Sequence, residues 1–320
     1  MSIPGGEWAD LPTALGNLNR PMAPLHRRVV SFLRWEGELF GRTQQDSMPL
    51  DPELGEPYTF AEVIGLNLRL VHCLPQILFP YNRWALRRGE EARRTAYKDF
   101  GILFSAQTPS VFLREVYLDH IYTDCEKVTS AFKGIVVDVG AQFGDFALLC
   151  AKGFDAKRVV AFEAVPWVFD VLCENVSLNG CENISPIRAF VSDTDKVSPQ
   201  LENASTKERG KSLDLPEVRT LDSFRFEGVT LLKIDVEGSE LRVLRGSRKL
   251  LRKDRPIVVL ETHSLRLGRA VESFLTDEGY RRLHEQDLLV YPVPGFDQCK
   301  NVFYVPRTHD ISNTPATRFT

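Results

Sequence analysis

Two short runs in the second half of the chain set acids and bases at period-two spacing: TLLKIDVEG, with Lys233, Asp235 and Glu237, and PIVVLETH, with Glu261 and His263. If each run is a β-strand, alternation places each set on one face, and the last members of each fall at the strand's carboxyl end. Groups held there could take the proton of an alcohol as a new bond forms on its oxygen, a contribution of about 10² to 10⁴ in rate. His263 is the first candidate for that base, because an unperturbed imidazole titrates at about 6.5. Asp235 and Glu261 are the alternatives, and either could instead orient the acceptor. Three acids make a divalent cation conceivable, but no ligand spacing demands one, and no metal is expected. Lys233 also reads as the counterion of Asp235, since buried charges need partners.

A second group lies upstream, in VVDVGAQFGDF at residues 136–146. An apolar run that breaks at Gly140, turns and resumes as a helical pattern after Gly144 presents free N–H groups and a positive helix end to a ligand. A dinucleotide fingerprint, G-x-G-x-x-G, needs glycine where Gln142 stands. The spacing Asp138-x-Gly140-x-x-x-Gly144 suits S-adenosylmethionine (SAM) better, because that ligand carries no pyrophosphate and the middle side chain is tolerated. Glu163, at the end of VVAFEAVP, is placed to accept hydrogen bonds from both ribose hydroxyls. Asp193, after the next strand, could meet the adenine amino group. Asp138, Gly140, Gln142, Gly144, Glu163, Asp193 and Asp235 are therefore the candidate cofactor residues.

The elements that must position these residues follow from pattern. Strands are predicted at 135–140, 159–164, 187–192, 230–235 and 256–263, and helices over GDFALLCAKG, VPWVFDVLCENVSLNG, GSELRVLRGSRKLLRK and LGRAVESFLTDEG. That alternation signifies βαβ units and a mainly parallel sheet. YRRLHEQDLLVYPV and CKNVFYVPR are predicted to close it as an antiparallel hairpin, while the polar stretch 198–218 reads as an insertion or lid. In the second helix Trp167, Phe169, Leu172 and Cys173 read as the buried stripe, Gly246 reads as a packing position, and Arg242, Arg245, Arg248 and Arg252 as a solvated face. Residues 1–130 are expected to form a helical N-terminal region, a cap or acceptor-recognition element, with 131–308 as the α/β domain and 309–320 as a tail.

Composition bounds the rest. With 320 residues, 43% hydrophobic, 26% charged and a net charge of −3, the chain reads as a globular protein without an overall basic surface, and no nucleic-acid partner is expected. The six scattered cysteines form no C-x-x-C pair and read as reduced thiols. The N-terminus lacks a signal-peptide pattern, and the most apolar stretch, 59–80, contains Glu62, Arg69, His72 and Pro75, so no transmembrane segment and a cytoplasmic location are expected. QILFPYNRWALRR, with aromatics beside arginines, leaves peripheral membrane contact as the alternative to packing for the N-terminal region. Nothing indicates the oligomeric state.

The run TLLKIDVEGSELRVLRGSRKLL followed by PIVVLETH resembles the signature of the FkbM family of SAM-dependent methyltransferases, as do VVDVGAQFGDF, VVAFEAVP, NVSLNG and VRTLDSF. The matches run in the family's order from Val136 to Val305. Gln142-Phe143 departs from it, and residues 193–218 match poorly. The resemblance implies a class I, Rossmann-like methyltransferase fold, SAM as cofactor, and methylation of a hydroxyl on a small-molecule or glycan acceptor. A nucleotide-dependent Rossmann oxidoreductase and a non-catalytic SAM-binding scaffold are the rival readings.

Overall fold

The computed structural model describes residues 83–123, 125–195, 216–236, 238–262, 265–287 and 300–308. The expected helices within HRRVVSFLRWEGELFGR and FAEVIGLNLRLVHCL, the tail 309–320 and most of 198–218 lie outside these residues.

Among the described residues, five of the eight strands match the predicted runs: β1 (Ile135–Val139), β2 (Arg158–Glu163), β3 (Ile184–Val191), β5 (Val229–Ile234) and β6 (Ile257–Thr262). β7 (Tyr280–Asp287) and β8 (Lys300–Pro306) are the expected C-terminal pair. A short strand, β4 (Glu217–Arg219), was not expected; it begins inside the polar stretch read as an insertion. The order is β4-β3-β2-β1-β5-β6-β8-β7. All neighbours from β4 to β6 are parallel, whereas β8 pairs antiparallel with both β6 and β7. This is a Rossmann-like sheet closed by an antiparallel hairpin. Its order reverses between β1 and β5, and open α/β sheets bind ligands at such a switch point, outside the carboxyl ends of the strands.

Both faces are covered, which is why the central strands are nearly continuously apolar. Val137, Val139, Leu232, Ile234, Val258 and Leu260 point to one face, under α5 (Glu240–Arg245), α6 (Arg248–Lys253) and α7 (Leu265–Asp277). Gly246-Ser247 divides the single helix expected over 238–253 into α5 and α6. An added Cβ at Gly246 would stand 2.0 Å from the Ser192 carbonyl oxygen, so this is the expected packing glycine. Its neighbours Arg248 and Arg252 are exposed but both pair with Glu278.

The other face carries Val136, Val159, Leu231 and Val259, packed with α3 (Asp145–Leu148), a π turn over Leu149–Gly153, and the N-terminal elements. These are α1 (Arg83–Phe100), α2 (Leu113–Tyr117) and the 3₁₀ segment Glu126–Lys133. Ala92, Ala96, Ile102, Leu113, Tyr117 and Phe132 share one core with the sheet, so the described N-terminal residues form a layer of the α/β fold.

Polar bonds fasten that layer. Arg93 donates to the carbonyls of Phe104 (2.8 Å) and Thr108 (2.6 Å). Asn175, fully buried on α4 (Pro166–Leu178), accepts from Ser105 N–H at 2.7 Å and donates to Thr108 Oγ1 and the Phe143 carbonyl at 2.8 Å each. The stripe of α4 is accordingly Val168, Val171, Leu172 and Asn175, with Trp167, Phe169 and Cys173 only half-buried. An asparagine on the inner face shifts the packing stripe by about a third of a turn from the purely apolar expectation. Asn175→Ala should cost about 2 kcal/mol of unfolding free energy, because it leaves buried N–H and C=O groups unpaired. An unchanged urea midpoint would show that the strap over 101–108 is held without it.

Candidate functional site

The glycine turn closes directly on the switch point. Gly140 and Ala141 donate their N–H groups to the Phe162 carbonyl at 3.0 and 2.8 Å, while Asp235 N–H bonds the Val139 carbonyl at 3.0 Å. Gly140 has φ +79°, and an added Cβ would stand 1.8 Å from the Asp235 carbonyl oxygen. Only glycine permits that approach. Gln142 has φ +49° and donates its backbone N–H to Glu163 Oε2 at 3.0 Å. The other carboxylate oxygen, Oε1, accepts Val165 N–H at 2.7 Å. Burial raises the Glu163 carboxyl to about 7 in spite of those two bonds, which favour the ionised form.

Beside the turn, Lys233 sits at the centre of an acidic group. Its Nζ donates to the Gly140 carbonyl at 2.8 Å and lies 3.2 Å from Asp138 Oδ1 and 3.6 Å from Asp235 Oδ2. The side chains of Asp138 and Lys233 are 0% and 4% exposed, whereas that of Asp235 is 22% exposed. Burial alone would lower the lysine's pKa; the carboxylates of Asp138, Asp235 and Asp145 outweigh it and raise it. Burial raises Asp138 against the pull of Lys233, and raises Asp145 to about 7. Tyr122, contributed by the N-terminal layer, donates its hydroxyl to Asp235 Oδ2 at 3.0 Å. Burial, then the charges of Asp235 and Glu261, push that phenol well above its usual pKa.

Asp138, Gly140, Gln142, Glu163 and Asp235 therefore converge as the spacing predicts. Asp235 lies one residue past the end of β5, not within the strand, yet stays beside Lys233. Glu261 is on β6, opposite Asn301 of β8. Gly144 (φ +82°) has a packing explanation, since an added Cβ would meet Leu172 Cδ1 at 2.5 Å. Asp193 is exposed and its carboxylate accepts from Ser192 Oγ at 3.1 Å. Glu237 and His263 lie outside the described residues. Tyr122 and Asp145 went unnoticed in the sequence. Asp145 had a signal, as an acid in the first turn of a helix after a glycine loop; Tyr122 had none, because it lies in an irregular turn far along the chain from its partner. Among the described residues no group of His, Cys, Asp and Glu could hold a metal ion.

The arrangement fits SAM. A carboxylate has about four acceptor sites, so Glu163 retains capacity for ribose hydroxyls. Gln142, not glycine, occupies the place where a pyrophosphate would need bare backbone. Three carboxylates around one ammonium suit a ligand that brings positive charge. Residues 138–282 match the family model of the methyltransferase FkbM domain. The chain carries an FkbM methyltransferase domain.

This domain has relatives of several kinds. The methyltransferase sdnD of Sordaria araneosa is 25% identical over 210 residues, covering 52% of this chain and 80% of that protein. The tRNA(Phe) (4-demethylwyosine(37)-C(7)) aminocarboxypropyltransferase of Methanocaldococcus jannaschii is 30% identical over 105 residues, which is 32% of this chain and 40% of that protein. Among solved structures, the methyltransferase FkbM of Methylobacillus flagellatus KT aligns with a TM-score of 0.39 and 17% identity, over 77% of this chain and 71% of that one. The second of these corrects the exclusion of nucleic-acid partners. Net charge is a sum over the whole chain and does not describe one surface, and a relative of the FkbM domain is named for a tRNA substrate. Among the described residues no helix is long and apolar enough to cross a membrane.

Proposed function

We propose that this chain transfers a methyl group from SAM to a hydroxyl oxygen of a sugar, glycan or secondary metabolite. The observation that carries the reading is Glu163, whose two oxygens are each fixed by one backbone N–H beside a glycine turn in which Gln142 replaces the dinucleotide glycine. Bound SAM supplies an electrophilic methyl group on a sulfonium. The chain's work is to hold acceptor oxygen, methyl carbon and leaving sulfur in line, since the C–O bond forms as the S–C bond breaks. Glu163 would accept the ribose hydroxyls, with Asp138, Gly140, Gln142, Gly144 and Asp193 completing the cofactor contacts. Asp235 and Glu261 stand at the carboxyl ends of β5 and β6, where one of them or His263 would take the acceptor's proton. The proposed location is the cytoplasm, and the N-terminal region is proposed to contribute acceptor recognition.

RNA is a second acceptor class, favoured by the similarity to the tRNA(Phe)-modifying relative. Methyl-labelled SAM incubated with fractionated cell extract separates the two. Label in a small-molecule or glycan fraction supports the first reading, label in RNA the second, and no label in any fraction supports the non-catalytic scaffold.

The ribose contact has its own test. Glu163→Ala should weaken SAM binding by about ten- to a hundredfold, the loss of a charged hydrogen-bond partner. Equal affinity in calorimetry would remove Glu163 from the site.

A further inference from the structure

Tyr122, in the N-terminal layer, donates its hydroxyl to Asp235 Oδ2, a carboxylate of the switch point. It is 4% exposed, and its ring is gripped edge-on by Phe146 with centroids 4.9 Å apart. Lys233 Nζ lies 5.4 Å from the centre of the ring. The turn that carries it is tied to the sheet through Asn301, which donates Nδ2 to the Ile121 carbonyl at 2.6 Å. The ring and the turn that carries it are thus held from three sides, by α3, β5 and β8, and the hydroxyl reaches Asp235 Oδ2.

Asp235 is the partly open member of a set whose other members are sealed. A ligand entering at the switch point meets its carboxylate before Asp138 or Lys233. Asp235 also lies against Gly140, so a group seated over the glycine turn lies next to it. Holding one carboxylate oxygen between two partners, the Tyr122 hydroxyl at 3.0 Å and the Lys233 ammonium at 3.6 Å, restricts rotation of the side chain.

We propose that Tyr122 is a positioning residue that aims Asp235 at a cationic sulfur, so that the site distinguishes the sulfonium of SAM from the neutral thioether of S-adenosylhomocysteine. This rests on the SAM reading above. The two ligands share ribose, adenine and amino-acid groups and differ by the methyl group and its positive charge. A residue that merely packs would change both affinities alike, whereas an aimed carboxylate changes their ratio.

The test is calorimetric titration of both ligands into the full chain and its variants. Tyr122→Phe keeps the ring and removes only the hydroxyl; it should lower the SAM to S-adenosylhomocysteine affinity ratio by about three- to tenfold, the scale of one hydrogen bond to a charged group. Asp235→Asn, which keeps shape and removes charge, should lower the same ratio at least as far. In an Asp235→Ala background the Tyr122 substitution should have no further effect on it. Equal weakening of both ligands by Tyr122→Phe, an unchanged ratio, or a full effect persisting without Asp235 would each overturn the proposal. Wild-type protein that binds neither ligand would overturn the SAM reading itself, an outcome distinguishable because no ratio then exists.

Discussion

Lys233→Met should lower the free energy of unfolding by about 3 to 5 kcal/mol, the cost of removing one partner from a buried ion pair. Asp138 is fully buried, and the cation beside its carboxylate is Lys233, with Nζ 3.2 Å from Oδ1. Without the ammonium, that carboxylate must either remain charged in an apolar surrounding or take up a proton. The Gly140 carbonyl also loses its donor. Adding Asp138→Asn to Lys233→Met should recover part of the loss, because a neutral amide no longer requires a counterion. Urea denaturation of the single and double variants measures both effects. A single variant within about 1 kcal/mol of wild type would mean that the pair is solvated.

Gly140→Ala should be nearly as damaging, and its effect should extend to ligand binding. The left-handed backbone conformation costs a residue with a Cβ about 1 to 2 kcal/mol. The overlap is the larger problem: the new atom would stand 1.8 Å from the Asp235 carbonyl oxygen, just past the ends of the paired strands β1 and β5. The turn or the end of β5 must move, costing about 1 to 3 kcal/mol more by analogy with overpacked cores. Movement of either displaces Asp235 from Tyr122 and Lys233. The expected result is a destabilisation of about 3 kcal/mol or more together with loss of measurable SAM binding. Gly180→Ala is the matched control. It has φ +62° with no atom within 4 Å of an added Cβ, so it should show only the conformational cost and leave binding intact.

Much of this architecture was legible because the physics is local. The strand runs that cross the sheet centre are apolar on both faces, and glycines and acids end them at their carboxyl ends. Asp138, Gly140 and Glu163 could therefore be placed on neighbouring strand ends from spacing alone. The split of α5 from α6 was not legible, because glycine inside an amphipathic pattern is tolerated in many helices and only the approach to Ser192 makes this one a break. β4 was missed for a similar reason: three residues beside a polar stretch carry no period. Tyr122 was hidden because its partner is 113 positions away and its segment has no regular structure. The stapling by Asn175 was hidden because a buried asparagine looks, in sequence, like a helix-surface residue. Net charge misled about nucleic-acid partners, since it averages over a surface whose local character decides binding.

The glycine turn and Glu163 are proposed to form a SAM site and not a dinucleotide site. Calorimetric titration of SAM and of NAD into the wild-type chain tests this most directly. Saturable binding of SAM, with no heat from NAD and no displacement of SAM by it, is the expected result. Binding of NAD that excludes SAM would contradict the account and return the protein to the oxidoreductase reading.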